Sequence, residues 1–444
     1  MPVPVATVRA GPIVGAPARR AWLRFSADGF AGLILALLWL RWMGNYVLNS
    51  LLGDKRFVPI GETAVVHPVA EGAGRVFLLL LLAACAAAVL FRMNEIPRAG
   101  LGRIAVVLAP WAVIAVRDAA NGLVRPETLM LPLLVLALAA LRPSADVLRW
   151  VGVMVGLTAV GSLVLGLLVP EGGIVREASG EYRAADKALV PAAGLLQGMF
   201  GSENSLALFL TLGLAMVFLV RPRWLAVSFV VALCLAVLWS SSRSGLLTLS
   251  VVLGLAGVCA LLRSRALDRA LSLVLLGAVT GLLVVGAWLP LQPWKEEAFT
   301  TRGGIWRGSL DTWLGQAELL GLGSDWYERV ARTATTPFNG GTYHGHNELV
   351  HLGVTGGVLL VVATALWFGV QVAATVHPRR DSFVTAGLLA AALVVGGFLE
   401  VPLGQVDRSP FWLVGLVPLT ILLFDAGRPA RPDPTERREP QSQG

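Results

Sequence analysis

The sequence predicts an all-α polytopic membrane protein with about twelve transmembrane helices and one large, partly helical extracytoplasmic loop. Three observations carry this reading. The chain has 444 residues, of which 56% are hydrophobic and only 14% charged, whereas soluble domains average about 25% charged. Apolar runs that approach the ~20 residues needed to cross a bilayer recur along its length. Finally, the links between those runs alternate in their content of Lys and Arg.

The runs lie at roughly 29–52, 76–91, 104–116, 128–141, 147–169, 204–220, 224–239, 245–262, 270–289, 348–373, 382–399 and 410–424. The third and fourth are short, which fits tilted neighbours or one re-entrant element. With the N-terminus placed in the cytoplasm, the short inner links 92–103, 142–149, 221–223, 263–269 and 377–381 hold 12 Lys/Arg in about 35 residues. The outer links hold 15 in about 141. This threefold difference in density is the positive-inside pattern. It predicts both termini in the cytoplasm and residues 290–347 outside. A reporter fused at Gly340 is expected to behave as extracytoplasmic and one at Arg379 as cytoplasmic; the opposite result at either position would overturn the topology.

The net charge of +8 is accounted for by topology and by contact with anionic headgroups, and calls for no nucleic-acid partner. The first apolar run is long and lacks a small-residue cleavage site, so it is expected to be retained. Residues 1–28 and 426–444 read as disordered cytoplasmic tails. Between them, 29–425 reads as one transmembrane domain. Cys85, Cys234 and Cys259 all fall inside apolar runs with no metal-like spacing and read as core residues.

The segment 290–347 is too long to be an idle connection. Ile305, Trp306, Leu310, Trp313 and Leu314 recur at helical spacing. One or two amphipathic helices are therefore expected to lie on the outer surface and cap a cavity. Its aromatic residues, Trp306 among them, fit an interface belt and also a platform for stacking sugar rings.

The candidate chemistry gathers on this outer side. Arg243 stands in the turn Ser240-Ser241-Ser242-Arg243-Ser244-Gly245, against the local charge bias. A guanidinium fork binds phosphate bidentately, and Ser242, Ser244 and the N–H groups of the next helix would add donors. The competing reading is an arginine snorkelling to headgroups. Arg302 and Arg307 flank Trp306 and offer a second pair of cations; a solvated helix face is the alternative. Three of the five histidines, His344, His346 and His351, fall where the large loop enters an apolar run. A histidine near its ordinary pKa of about 6.5 can take a proton from a hydroxyl, and buried, hydrogen-bonded histidines are the alternative. The spacing also permits zinc, but no Cys or carboxylate pair completes the set locally. The expectation is no metal and no cofactor. Arg41, within the first run, and Arg117, ending the third, are ionisable groups at depth and carry a functional hypothesis by default.

Taken together, these motifs resemble the bacterial O-antigen ligase and O-antigen polymerase superfamily. Ser242-Arg243-Ser244-Gly245 looks like that family's outward Ser-Arg turn. Arg302-x-x-x-Trp306 followed by Gly321-x-Gly323 is similar to the start of its periplasmic loop. His346-Asn347-Glu348-Leu349 with Thr355-Gly356-Gly357 resembles its His-Asn helix entry. Phe200-Gly201-Ser202-Glu203-Asn204 is also similar to a family segment, but has Ser202-Glu203 where Asn-Pro is common. The resemblance spans about residues 200–360. It implies metal-independent transfer of a glycan from undecaprenyl pyrophosphate to an acceptor hydroxyl, on the extracytoplasmic face of a bacterial inner membrane. The acceptor would be a lipid, a glycan or a protein. Arg243 and Arg302 would hold the pyrophosphate, with Arg307 in reserve. His346 would orient or deprotonate the acceptor. Asn347, Glu348, His351 and Trp306 would support the site.

Ligase, repeat-unit polymerase and protein O-oligosaccharyltransferase share these motifs, so the acceptor and the sugar stay open. A transporter or flippase is the reading from a different class. It would call for inverted repeats and midplane charges, whereas the charged groups here concentrate at the outer surface.

Overall fold

A computed structural model describes residues 26–53, 66–96, 98–177, 187–262, 264, 267–332, 342–375, 380–406 and 408–426. The tails, Gly340 and Arg379 lie outside the described residues. The helices run α1 (Ala27–Leu52), α2 (Pro68–Arg92), α3 (Arg98–Ala120), α4 (Pro126–Leu141), α5 (Leu148–Leu168), the single turn α6 (Pro170–Gly173), α7 (Glu203–Val217), α8 (Arg223–Ser240), α9 (Arg243–Leu261) and α10 (Asp268–Trp288). Then come α11 (Arg302–Gln316) and α12 (Trp326–Ala331) in the large loop, followed by α13 (Glu348–Thr375), α14 (Arg380–Gly396) and α15 (Leu416–Asp425).

Each predicted span falls on an apolar helix. Eight are long and apolar enough to cross a membrane; α4, α7, α14 and α15 are shorter apolar helices of 10–17 residues. Local chemistry sets several starts. The Ser26 side chain accepts from the Gly29 amide to open α1, and Ser202 does the same for Ser205 at α7. Such caps satisfy N–H groups that have no partner in the first turn. Pro68 and Pro126 occupy first-turn positions of α2 and α4, where a missing N–H costs nothing. The third run proves longer than predicted. Arg98 and Arg103 at one end and Arg117 and Asp118 at the other continue the helix beyond the apolar stretch. α3 and α4 are thus neighbours joined by a short turn.

α4, α5, α7, α8, α14 and α15 contribute most of the buried apolar core. Large apolar side chains such as Leu79, Leu90, Leu273 and Val284 point outward on α2 and α10. A helix exposing such residues requires a lipid surround. This is a multi-pass membrane protein.

The connecting segments meet at two ends. At one, the Asp28 carboxylate accepts from the Ser144 amide and hydroxyl, both at 2.7 Å, and Arg103 donates to the Leu423 carbonyl at 2.8 Å. At the other, Asp118 accepts from the Ser324 amide and hydroxyl at 2.8 and 2.6 Å, and Arg302 pairs with Glu400 at 2.7 Å. Asp28, Arg103 and Ser144 fall in segments predicted as inner, and Asp118, Arg302, Ser324 and Glu400 in segments predicted as outer.

The large loop packs into the bundle instead of lying flat on its surface. α11 buries Ile305, Trp306, Ser309, Thr312 and Trp313, while Leu314 is exposed. Leu310 packs beside Ile305 and Trp313, so among the predicted apolar positions Leu314 alone departs from the buried face. Beyond it, Gly321-x-Gly323 crosses α13 where that helix is broken at Gly357, which has φ 65°. The break leaves backbone groups without partners in their own helix. The loop supplies them: Leu322 and Gly323 N–H donate to the Val354 and Thr355 carbonyls at 2.7 and 2.9 Å. Val358 and Leu359 N–H donate to the Glu318 and Leu319 carbonyls at 2.8 and 3.2 Å. Without them each group would cost several kcal/mol in a membrane interior. A Cβ at Gly357 would collide with the Leu319 backbone, and one at Gly321 with the Gly356 and Gly357 backbone. Gly357→Ala also forces a left-handed residue, costing ~1–3 kcal/mol before any collision. Its expected result is a sharp drop in the unfolding temperature of detergent-purified protein, and an unchanged temperature would show the crossing to be slack.

Candidate functional site

The site forms at the second end of the bundle, from four segments distant in sequence. The first is the turn between α8 and α9. Ser242 caps α9 by accepting from the Gly245 amide at 3.3 Å, donates to Asn204 Oδ1 at 2.8 Å and lies 3.2 Å from the Ser244 hydroxyl. Both serines are buried, so their hydroxyls are spent on holding the turn against α7. The segment Phe200–Asn204 thereby serves as the anchor of this turn. Arg243, the first residue of α9, is exposed and reaches Thr300 Oγ1 at 3.5 Å.

That contact leads to the second segment. Phe299, Thr300 and Thr301 are all left-handed, with φ 52°, 61° and 68°, a conformation that costs non-glycine residues energy and clusters at functional sites. The run delivers Arg302 to the start of α11. The Trp294, Phe299 and Trp306 rings pack in series, at 4.9 and 5.4 Å between successive centroids. Arg307 points away from Arg302, is exposed and donates to the Trp294 carbonyl at 2.5 Å. The two arginines read as a pair in sequence are therefore not a pair in space.

The third segment is 342–347. Thr342 Oγ1 donates to the His344 carbonyl at 2.7 Å, and the His346 amide donates to His344 Nδ1 at 3.2 Å. The two imidazoles lie 4.0 Å apart. His346 is left-handed, φ 48°, and its carbonyl accepts from Trp306 Nε1 at 3.2 Å. Trp306, buried inside α11, thus fixes the His346 backbone. His351 lies deeper, stacked on Tyr327 at 5.5 Å, and Tyr327 donates to Ser309 Oγ at 3.1 Å.

The fourth segment, 397–408, was not singled out in the sequence. α14 stops at Gly396, three residues short of the predicted span, and the chain then turns across the site. Asn347 caps α13 by accepting from the Val350 amide and donates to the Phe398 carbonyl at 3.2 Å. The Glu348 amide donates to the Gly397 carbonyl at 2.9 Å, and its carboxylate accepts from the Leu403 amide at 3.0 Å. Between these ties sits Glu400, 4% exposed. Its carboxylate meets Arg302 Nη2 at 2.7 Å, His344 Nε2 at 3.7 Å and His346 Nδ1 at 3.8 Å. Arg408 donates to the Val401 carbonyl at 3.2 Å and adds a further guanidinium to the same field.

Electrostatics follow from this packing. Burial, then the Arg408 guanidinium and the neighbouring His346, holds the His344 imidazole well below its usual pKa. Burial, then Arg302 and Arg408, does the same to His346. Desolvation and nearby positive charge both disfavour imidazolium, so both rings are neutral at neutral pH. Burial also pushes the Glu400 carboxyl up from the usual carboxylate range, against the opposing pull of Arg302 and Arg408. His346 Nδ1 is buried with no hydrogen-bond partner, while the side chain as a whole keeps 23% exposure. A neutral, partly exposed imidazole whose Nδ1 faces a carboxylate can accept a proton at its other nitrogen, and the carboxylate stabilises the charge it acquires.

His344, His346 and Glu400 also bring one ligand atom each within 4.8 Å of one another. No Cys or carboxylate pair stands at metal spacing beside these histidines along the chain, but the fold brings in Glu400, 54 residues beyond His346. That carboxylate is already paired with Arg302 and faces Arg408, so a divalent cation there would meet two guanidiniums. The residues fit a charge-compensated cluster better than a metal cage.

The sequence candidates Arg41 and Arg117 make their contacts outside this cluster. Arg41 is buried against Glu127 of α4 at 2.6 Å. Arg117 lies in the last turn of α3 beside Asp118, which binds the large loop through Ser324. Lys187 pairs with Glu203 at the start of α7, and Glu203 is close enough to Glu400 to add to its upward shift.

Comparison with curated proteins found no match to the chain. Residues 228–365 match the family model described as O-antigen ligase. That stretch runs from α8 into the second half of α13. It carries Arg243, Arg302, Trp306, His344, His346 and His351, while Glu400 and Arg408 come from beyond it. The resemblance read from the motifs is thus matched over residues 228–365, a stretch similar to the O-antigen ligase family within a multi-pass membrane protein.

Proposed function

We propose that the protein transfers a glycan from undecaprenyl pyrophosphate to an acceptor hydroxyl, on the extracytoplasmic side and without a metal ion. The observation that carries this reading is the buried contact of Glu400 with Arg302 and His346, with Arg243 reaching Thr300, two residues before Arg302. The acceptor oxygen attacks the first carbon of the donor sugar. The bond from that carbon to the pyrophosphate oxygen breaks, and the lipid pyrophosphate leaves with the electron pair. The acceptor proton passes to His346. Arg243, exposed at the rim, and Arg302 neutralise charge building on the leaving group, a preorganised electrostatic contribution that grows toward the transition state. Glu400 stabilises the imidazolium, and Asn347, Glu348 and Trp306 fix the two backbones that bring it to His346. His351 and Arg307 take supporting places. The membrane is a bacterial inner membrane with both termini in the cytoplasm.

Ligase, polymerase and protein O-oligosaccharyltransferase all fit this chemistry. A deletion strain separates them: loss of long chains with one repeat still attached indicates a polymerase, and loss of all attachment indicates a ligase. The mechanism itself is tested by transfer from a lipid-linked donor in purified protein. Arg243→Lys keeps the charge and loses the fork, so transfer is expected to fall at least tenfold, ~1.4 kcal/mol of transition-state stabilisation, with normal membrane expression. Near-normal transfer in Arg243→Ala would mean that the residue only contacts headgroups. Treatment with a chelator is expected to leave wild-type transfer intact, and its abolition would overturn the metal-free step.

A further inference from the structure

At the opposite end of the bundle, away from the histidine cluster, a groove of about 800 Å³ opens between α8 and α9, with α7 and α14 also lining it. Its walls are apolar, including Ala226, Val230, Ala256, Ala260 and Leu388. Its mouth carries Arg221 and Arg223, both exposed, in the short link between α7 and α8. Trp224 stands beside them, 69% exposed, where an aromatic residue marks the membrane–water interface. The volume falls within the ~300–1,000 Å³ of ligand sites. Such a site asks for a ligand with an anionic head at the interface and a long apolar body below it.

We propose that this groove binds one anionic phospholipid, its phosphate held by Arg221 and Arg223 and an acyl chain laid between α8 and α9. Charge complementarity selects the head: basic pockets between transmembrane helices recruit anionic lipids, at ~1 kcal/mol per arginine or lysine near the surface. The apolar walls select the body, since a free phosphate would gain nothing from Val230 or Leu388. The two arginines also contribute to the inner-link charge density, so the residues that orient the chain would bind the lipid as well. This site is independent of the transfer reaction proposed above.

The test uses the full chain, purified in detergent, stripped of lipid and given phosphatidylglycerol or phosphatidylcholine, with bound lipid counted by native mass spectrometry. The expected result is retention of one phosphatidylglycerol in preference to phosphatidylcholine. The double variant Arg221→Ala/Arg223→Ala changes only exposed side chains and should weaken that retention about tenfold to thirtyfold. Ala260→Trp fills the groove while leaving both arginines, and should weaken retention as well. Equal retention of the two lipids, or undiminished retention in either variant, would overturn the proposal. So would displacement of the lipid by millimolar inorganic phosphate, which would make the site a phosphate site alone.

Discussion

Replacing His346 with Ala is expected to lower transfer by about 10²–10⁴-fold, the usual contribution of a positioned base, while donor binding stays near the wild-type level. The acceptor hydroxyl is a weak nucleophile at neutral pH. His346 turns its buried Nδ1, which has no hydrogen-bond partner, toward Glu400 at 3.8 Å. Its backbone is fixed from outside the side chain, through Trp306 and the Asn347 cap, so truncating the ring leaves the scaffold intact. The pH profile gives a second readout. Because burial and two guanidiniums lower the His346 pKa, the base stays unprotonated through pH 6.5. Wild-type transfer should therefore decline only below that value. The assay compares His346→Ala with His344→Ala and His351→Ala, which should be milder. His344 accepts from the His346 amide and tunes the site from one side, and His351 is stacked on Tyr327. Most of the activity surviving in His346→Ala, or His351→Ala proving the dead variant, would move the base elsewhere.

Replacing Glu400 with Gln is expected to be the second most damaging change, and to act mainly on kcat. The substitution keeps shape and removes the charge that Arg302 pairs with at 2.7 Å. Leaving a buried guanidinium uncompensated typically costs 3–5 kcal/mol, here reduced by the amide oxygen that remains. The imidazolium formed in the reaction would lose its stabilising anion. The sign on pH follows: without the carboxylate the His346 pKa falls further, so the acidic limb of the rate profile moves to lower pH while the maximum drops. A purely structural role for Glu400 would lower stability and leave that limb where it was. Glu400→Asp retains the charge and should restore part of the rate. An unmoved pH profile in Glu400→Gln, with wild-type kcat, would remove Glu400 from the mechanism.

The sequence by itself determined the class of fold and gave candidate addresses for the chemistry. Apolar length fixes which segments can cross a bilayer, and that property is local, so each span predicted from it coincides with an apolar helix. Lys and Arg density sorts the links into two sets, and the described residues that tie the links together at each end of the bundle come from one set. Arg243, Arg302 and His346 stand out as candidates because each sits in a short motif at the mouth of a helix, where an ionisable group is conspicuous.

Other parts were decided only by the tertiary structure. Glu400 lies just past an apolar run, in a stretch with no motif of its own. It gains meaning when Asn347 and Glu348 tie residues 397–403 to the entrance of α13. Arg307 looked equivalent to Arg302 because both flank Trp306, but five positions along a helix turn the side chain to another face, and the neighbours of α11 decide which face is buried. The serines of the α8–α9 turn read as phosphate donors, yet their hydroxyls close the helix cap and hold Asn204. The glycines of two separate motifs, Gly321-x-Gly323 and Gly356-Gly357, turned out to be one feature: a loop crossing a broken helix and satisfying its backbone. Spacing along the chain reports periodicity and local hydrogen bonding. A carboxylate meeting a histidine 54 residues away, or a loop mending a helix, depends on how the helices pack, and that is settled by volumes and by the cost of leaving buried polar groups unpaired.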